Sequence, residues 1–436
     1  MAEIASYPAV IVTILLVLVF IILGSPIFIS LGLASVVGVL IARGVAGLGQ
    51  LPGAMYAQLD SFILCAVPLF ILMGEILAYT GIGRDIYEVF SRWLYRVPGG
   101  LAIASIYTCA MFGAMCGVSI AGVAAIGPLA VPEMLKRKYD PRLAAGAVTA
   151  AGALAILIPP SIMLVIYGSI AFVSVGKLFI GGIVPGLVLA SMMAIYVLIR
   201  VGLNPSLAPR IFETMTWRER LAPLLKLGPA AIMIFLVLGS IYLGVATPTE
   251  AAAVGVVGAL LIGRFIYRSL SWKTFYTILT ATTRASISIL IICACALGFG
   301  NFLSVVRVPE VLTQTCLALP IGPLGIVFIF MAGLVVLGMF VDGISMVVIT
   351  TPILLPVLLL MGYDPIWYGI ILTINIEIAV ITPPVGLNLY TMKSVAPELD
   401  IGSIIAGTLP YVAIDFICLS FFVLLPQLVL WLPSTM

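Results

Sequence analysis

Long apolar runs that follow one another along the whole chain limit the possible folds more than any other feature. Only 8% of the residues are charged, whereas a soluble domain carries about 25%. Runs of this length match the thickness of a bilayer, so the sequence predicts an all-α, polytopic membrane protein surrounded by lipid. The predicted apolar segments are 8–24, 26–42, 59–80, 98–116, 122–136, 142–172, 178–200, 227–246, 249–267, 275–303, 322–340, 346–361, 365–392 and 403–431.

Composition also excludes several classes of site. The chain has no histidine, and none of its seven cysteines forms a CxxC pair. His-ligated haem and HExxH zinc chemistry are therefore excluded, and a disulfide or metal framework is not expected. No basic patch suited to nucleic acid is visible, and the segment Met1–Tyr7, which has no basic residue, predicts no cleavable signal.

The basic residues are divided unevenly between the two sides of the predicted spans. One side collects 16 of the 20 Lys and Arg residues, and the opposite loops hold only Arg43, Lys177 and Arg307. By the positive-inside rule the basic side is cytoplasmic, which places both termini on the outer side. The 16 residues are Arg84, Arg92, Arg96, Lys136, Arg137, Lys138, Arg142, Arg200, Arg210, Arg218, Arg220, Lys226, Arg264, Arg268, Lys273 and Lys393.

Residues 98–136 begin and end on the same, basic side. Two complete spans need about 40 residues and a turn, and this stretch is shorter, with small and polar residues over 113–122 at its centre. We therefore expect a re-entrant helical hairpin. Two tight spans joined at the far face remain the alternative.

An internal repeat recurs at a constant offset of 224 residues. The dipeptide Pro159-Pro160 matches Pro383-Pro384, and Tyr139-Asp140-Pro141 matches Tyr363-Asp364-Pro365. The second hairpin has no flanking basic residue, so it is expected to open to the other side. Inverted repeats with broken helices are typical of secondary transporters. The predicted division is a first repeat 1–200 (hairpin 98–136, broken helix 142–172), a basic cytoplasmic connector 201–226 and a second repeat 227–436 (hairpin 322–361, broken helix 365–392).

Each proline pair should expose carbonyl groups inside the membrane. Because proline has no N–H, Pro159 and Pro160 are expected to free the carbonyls of Ala155 and Ile156, and the second pair those of Ala379 and Val380. Such oxygens suit Na⁺, while the positive helix ends that follow the hairpin tips favour an anion. The candidate substrate-binding residues are Ser161, Asp342, Ser345 and Asn388.

Ionisable residues inside predicted spans are functional candidates by default. They are Glu75, Arg284, Asp342, Glu377 and Asp415. Glu250 is assigned instead to a capping box that begins at Thr247.

Three motifs resemble the large membrane subunit of tripartite ATP-independent periplasmic (TRAP) transporters, and the similarity covers essentially the whole chain. The resemblance implies the elevator-type fold of the ion-transporter superfamily, with a scaffold and a mobile domain that bears both hairpins. It also implies a sodium gradient as driving force, a small four-helix membrane subunit, a periplasmic binding protein that delivers an organic acid such as a dicarboxylate or sialic acid, and a bacterial inner-membrane location. The motifs are Ala155-Ile-Leu-Ile-Pro-Pro-Ser161, Ala246-Thr-Pro-Thr-Glu-Ala-Ala-Ala253 and Ile381-Thr-Pro-Pro-Val-Gly-Leu-Asn-Leu389.

The resemblance also implies two sodium sites. The first consists of Ser119, Ala155, Ile158 and Pro160; Cys116 is also near that tip, but a thiol is a poor ligand for Na⁺. The second site consists of Gly343, Ala379, Thr382 and Val385.

Other functions remain open from the sequence alone. A stand-alone organic-anion carrier and an uncoupled anion channel both fit the composition. The sequence does not fit an intramembrane aspartyl protease, because Asp140 and Asp364 precede proline at predicted membrane edges and no GxGD motif occurs. We expect no enzymatic activity.

Overall fold

The computed structural model describes residues 2–209 and 216–436, with the side chains of residues 2–7 left undescribed. This part of the chain is helical and holds no β-strand, which confirms the predicted all-α class. Arg210 of the predicted basic connector lies outside the described residues. The α-helices are α1 Ala2–Ile22, α2 Ile27–Arg43, α3 Gln50–Leu59, α4 Ala66–Ala78, α5 Ile82–Leu94, α6 Gly100–Cys116, α7 Ser119–Lys136, α8 Pro141–Leu157, α9 Ile162–Ala171, α10 Val175–Leu203, α11 Trp217–Leu221, α12 Gly228–Ile234, α13 Ser240–Tyr242, α14 Pro248–Leu261, α15 Trp272–Val305, α16 Val308–Ala318, α17 Pro323–Gly338, α18 Gly343–Leu360, α19 Pro365–Val380, α20 Leu387–Val395, α21 Ile401–Leu424 and α22 Gln427–Leu430.

Within the described residues, eight helical segments are long and apolar enough to cross a membrane. A ninth is possible where Val45–Leu59 and Phe62–Ala78 meet at a bend of 53°. The second member of this pair, Phe62–Ala78, lies within the predicted segment 59–80, and the bend is at the start of that segment, where Ser61 leaves the helical region with φ −68° and ψ 116°. Large apolar side chains such as Ile22 and Leu203 face outward with more than four fifths of their surface exposed. The chain is therefore polytopic, as predicted.

Several helix boundaries follow the 224-residue offset found in the sequence. Helix α7 begins at Ser119 and ends at Lys136, and α18 begins at Gly343 and ends at Leu360, so both ends differ by 224. Helices α8 and α19 each begin at a proline after an aspartate whose side chain accepts from the next two backbone N–H groups. The inverted orientation of the two halves stays a prediction.

The predicted basic loops come together in the structure. The Lys226 ammonium lies 2.6 Å from a carboxylate oxygen of Glu88 on α5, and the Tyr267 hydroxyl donates to Asp85 on the same helix over 2.7 Å. The backbone N–H of Asp140 donates to the Leu207 carbonyl over 2.8 Å. Loops that the charge pattern assigned to one side of the membrane therefore contact one another.

One helix start was predicted correctly from the sequence and another was not. Thr247 and Glu250 form the expected capping box at the start of α14, each side chain accepting from the other residue's backbone N–H. The sequence Ser25-Pro26 also predicts a capping residue followed by proline at the first helical position, but α2 begins at Ile27 after Pro26 and has no side-chain cap.

Helix α8 occupies the centre of the packing that positions the site. Nearly all its residues are buried, and it packs against α6, α7 and α21. Gly146 of α8 and Gly407 of α21 pack so closely that a Cβ on either would overlap the backbone of the other helix. The two halves of the chain are thus joined along α8.

Candidate functional site

The first hairpin tip rests directly on the first proline pair. Gly117 joins α6 to α7 with φ +65°, a left-handed conformation that favours glycine. A Cβ at this position would overlap the carbonyl oxygen of Pro160. One at Gly113 would lie 2.7 Å from the Ala155 Cα. Because α8 and α9 together form one candidate span over Pro141–Ala171, the tip reaches the interior of that span.

Ser119 connects this tip to the region after the second proline pair. Its hydroxyl donates to the side-chain oxygen of Asn388 over 2.7 Å, and the Asn388 amide donates to the Thr149 carbonyl of α8 over 3.2 Å. All three residues are buried. Because the Ser119 hydroxyl donates its proton to Asn388, the lone pairs of its oxygen remain available to a cation.

The carbonyls at the first break differ from the expectation in one respect. The Ile156 carbonyl is not free, because the Ser161 hydroxyl donates to it. Ser161 is fully buried and also caps α9, so its only hydroxyl proton is already used. The Ala155 carbonyl faces position 159, where proline offers no N–H. The side chain of Ile158 packs toward Gly186 of α10.

The second hairpin tip lies against the second broken helix in the same way. A Cβ at Gly338 would lie 2.5 Å from the Cβ of Ala379, and one at Gly343 would lie 2.5 Å from Ile376. Gly343 also lies near Met163 of α9. Each tip therefore contacts the broken helix of its own half and the half-helix that follows the break in the other half.

The second break also keeps fewer free carbonyls than expected. The Thr382 N–H donates to the Ala379 carbonyl over 3.2 Å, and the Thr382 hydroxyl donates to the Ile378 carbonyl over 2.6 Å. A tighter final turn thus replaces the bond that Pro383 cannot make. The Val380 carbonyl still faces Pro384, and Val385 is 38% exposed beside it.

Two of the substrate candidates have local roles in the structure. Asp342 caps α18, accepting from the N–H groups of Ile344 and Ser345 over 3.0 and 3.2 Å. The Ser345 hydroxyl donates to the same carboxylate over 2.5 Å. Both side chains therefore have hydrogen-bond partners within the protein. Asn388 is the substrate candidate that the structure places beside both the first tip and the second break.

The remaining ionisable residues of the predicted spans divide into two groups. Glu377 and Asp415 are fully buried, and none of their four carboxylate oxygens has a hydrogen-bond partner. Arg284 instead is exposed on α15, and Glu75 is half-buried on α4. The sequence identified each of these residues singly, and it carried no signal that the two buried acids lie close together.

Residues 14–428 match the profile of the tripartite ATP-independent periplasmic transporter, DctM component. The C4-dicarboxylate TRAP transporter large permease protein DctM of Vibrio cholerae is 34% identical over 449 residues, covering 98% of each chain. The isethionate TRAP transporter permease protein DctMQ of Oleidesulfovibrio alaskensis is 37% identical over 383 residues. That match covers 86% of this chain and 59% of the relative's length.

A solved structure shares the fold. The YdaH transporter of Alcanivorax borkumensis superposes with a TM-score of 0.62, covering 91% of this chain and 90% of that chain. The sequences are 17% identical, so the likeness concerns the fold alone.

Proposed function

The chain belongs to the family of the tripartite ATP-independent periplasmic transporter DctM component, and from this premise we propose that it imports an organic acid anion together with sodium. The family consists of transport permeases, not enzymes, and the chain is a multi-pass protein of the bacterial inner membrane. Its partners in this proposal are a small membrane subunit and a periplasmic binding protein that delivers the acid. The two relatives are named for C4-dicarboxylate and isethionate, which are both small organic anions.

One observation carries the proposal: each hairpin tip lies on a proline-broken helix. The first contact brings the backbone of Ser119 to Gly152 of α8, three residues before Ala155, and the second brings Gly343 to Ile376 near the end of α19. Hydroxyl and carbonyl oxygens are hard ligands of the kind that sodium accepts. We assign one sodium ion to Ser119, Ala155, Ile158 and Pro160, and a second to Gly343, Ala379, Thr382 and Val385.

The anion would bind between the two sodium ions. Helices α7, α9, α18 and α20 all begin at the tips or directly after the breaks, and helix starts favour negative charge. Bound sodium adds further positive charge, so the substrate carboxylate is stabilised only when the cations are present. This dependence would couple the two fluxes.

The movement in the proposal is that of an elevator. The hairpins and broken helices would move together, because the Ser119–Asn388–Thr149 connection ties the first tip to both halves. The bent pair α3–α4 and the long helix α15, which pack against each other, would belong to the static scaffold. A stand-alone carrier would transport without the binding protein, and an uncoupled channel would show neither sodium dependence nor saturation.

Uptake by proteoliposomes that contain the chain and its partner subunits tests the proposal. An inward sodium gradient should drive saturable accumulation of the acid when the binding protein is present. Equal uptake with a proton gradient and no sodium would exclude sodium coupling. Equal uptake without the binding protein would favour the stand-alone carrier.

A further inference from the structure

The turn between α14 and α15, with the residues on either side of it, forms a corner on the basic side of the protein. Helix α14 is extended by a π-helical segment that ends at Ile266, and α15 begins at Trp272. We call residues 264–276 the α14–α15 corner. The hydroxyl of Tyr267 in the turn donates to Asp85 of α5 over 2.7 Å. The corner is therefore held against α5, beside the loops that the charge pattern makes cytoplasmic.

Two of the three basic residues in the α14–α15 corner have no counter-charge. Arg264 is used by the turn itself, because its guanidinium donates to the Leu270 carbonyl over 3.4 Å. Arg268 and Lys273 are exposed, and their side chains have no hydrogen-bond or ion-pair partner in the described part of the chain. The sequence 251–309 contains no acidic residue at all. The corner therefore presents two uncompensated positive charges.

Several other basic residues on the same side are paired within the protein. The Lys226 ammonium lies 2.6 Å from Glu88, and the Arg137 guanidinium lies 2.8 Å from Glu133. The Lys393 ammonium donates to two backbone carbonyls, over 2.8 Å each. Arg268 and Lys273 differ from these residues in that their donors are available to a ligand.

Large apolar side chains surround the two charges and face outward. Trp272 is 83% exposed and Tyr276 is 70% exposed, and in the preceding helix Phe265 and Ile266 are 70% and 56% exposed. Trp and Tyr are enriched where the headgroups of a bilayer meet its hydrocarbon core. Phenylalanine and isoleucine side chains favour the hydrocarbon itself. The corner therefore lies at the boundary between headgroups and acyl chains.

A ligand for this corner must carry a negative charge with an apolar part directly beside it. Arg268 lies in the turn and Lys273 is the second residue of α15, so both charges are at helix ends, at the level of the lipid phosphates. A membrane helix of another protein would present an acidic side chain to the length of α15 instead. A phospholipid has its phosphodiester at the required level and its acyl chains next to it, and anionic lipids attract basic segments at the cytoplasmic surface.

We propose that the α14–α15 corner binds the headgroup of an anionic phospholipid. The phosphodiester oxygens accept hydrogen bonds from the Arg268 guanidinium and the Lys273 ammonium. The indole of Trp272 lies at the level of the headgroup, and the acyl chains cover Phe265 and Ile266. The bound lipid holds the start of α15 at the membrane surface. The site is independent of sodium and of the transported acid.

Titration of the purified, delipidated complex with phosphatidylglycerol, followed by native mass spectrometry, tests the site. Phosphatidylcholine with the same acyl chains has no net charge and is the control lipid. Arg268→Gln and Lys273→Gln should each weaken phosphatidylglycerol binding roughly 5-fold, and the double variant should weaken it about 30-fold. Binding of phosphatidylcholine should not change. Lys177→Gln is the matched control, because Lys177 is also an exposed basic residue but belongs to the opposite side, and it should bind both lipids as wild type does.

Thermal unfolding gives an independent readout, because a ligand that binds the folded protein stabilises it. Phosphatidylglycerol should raise the Tm of wild type and of Lys177→Gln above the value in phosphatidylcholine, and it should not do so for the double variant. Arg268→Lys keeps the charge and should bind the lipid as wild type does. If the double variant does not fold, the two single variants give the same comparison.

Three results would overturn the proposal. The first is equal affinity of wild type and the double variant for phosphatidylglycerol. The second is displacement of the lipid by inorganic phosphate alone, which would show that the corner binds a free anion. The third is loss of the small membrane subunit from the double variant during purification, which would show that the corner is an interface between proteins. None of these results bears on whether transport is coupled to sodium.

Discussion

The hydroxyl of Ser119 at the first hairpin tip donates to the side-chain oxygen of Asn388, 2.7 Å away and 269 residues later in the chain. Asn388 follows the second proline pair, and its amide in turn donates to Thr149 of the first broken helix. One asparagine thus connects the tip of one half with the broken helices of both. The first hairpin and α20 therefore move together as long as this bond is intact. A movement of one relative to the other must break it.

Ser119→Ala should weaken sodium binding. The change leaves the Asn388 oxygen without its donor and removes one proposed sodium ligand, and a buried polar group without a partner costs about 1–3 kcal/mol. The sodium concentration for half-maximal uptake should rise roughly 5- to 150-fold. Ser191→Ala is the control, because its hydroxyl only donates to the Leu187 carbonyl on the surface of α10. Unchanged sodium dependence in Ser119→Ala would remove Ser119 from the first site.

Thr382→Val tests the second site with almost no change in volume. Its hydroxyl donates to Ile378, so the oxygen can still accept a cation, and the valine cannot. We expect a rise in half-saturating sodium of the same size, about 5- to 150-fold, with expression and thermal stability close to wild type.

Thr315→Val is the matched control for that experiment. Thr315 makes the same type of bond, to the carbonyl four residues earlier, on the exposed face of α16. If both threonine variants change sodium dependence equally, the effect at Thr382 does not come from a sodium ligand.

Gly117→Ala should disturb the first tip. A left-handed conformation costs an alanine about 1–2 kcal/mol, and the new Cβ would in addition displace the Pro160 carbonyl. Uptake should fall by more than fivefold at limiting sodium. Gly333→Ala on the second hairpin has open space around it and should transport normally. A Gly117→Ala variant with wild-type uptake would show that the tip does not depend on this contact.

Asp342 offers a test between capping and substrate binding. Asp342→Ala removes the acceptor for two N–H groups of α18 and should lower the free energy of unfolding by about 1 kcal/mol. Asp342→Asn keeps a capping oxygen and should retain both stability and the KM for the acid. A large change in KM for Asp342→Asn would support the predicted role of the residue in the substrate site.

The sequence could predict those features that depend on local chemistry. The proline pairs indicated where α8 and α19 end, and the Thr247–Glu250 spacing indicated the start of α14. The hydrogen bonds that replace the missing ones at the two breaks were not predictable in detail. The Ser161 hydroxyl donates to the Ile156 carbonyl, and the hydroxyl and N–H of Thr382 donate to the carbonyls of Ile378 and Ala379. Prolines remove donors, but neighbouring hydroxyls decide which carbonyls stay free.

Contacts between distant parts of the chain could not be predicted from the sequence for a different reason. The Ser119–Asn388 bond and the Glu377–Asp415 pair depend on how helices far apart in sequence pack together. The bend between α3 and α4 occurs at Asp60 and Ser61, without a proline or glycine to mark it. Apolar composition identifies a segment as one that lies in the membrane, but it does not show where the segment bends.

The central claim is that two hairpins, opening to opposite sides, carry the sodium sites across the membrane. Single cysteines at the exposed positions Ile120 and Phe340, beside the two tips, report on this directly. Cys65, which is the exposed native cysteine among the described residues, is first replaced by serine. Labelling with a membrane-impermeant maleimide is then measured from each side, with and without sodium and substrate.

The account predicts that Ile120→Cys is labelled from the cytoplasmic side and Phe340→Cys from the periplasmic side, and that sodium with substrate shifts the balance between the two. Labelling of both positions from the same side only, under every condition, would contradict it.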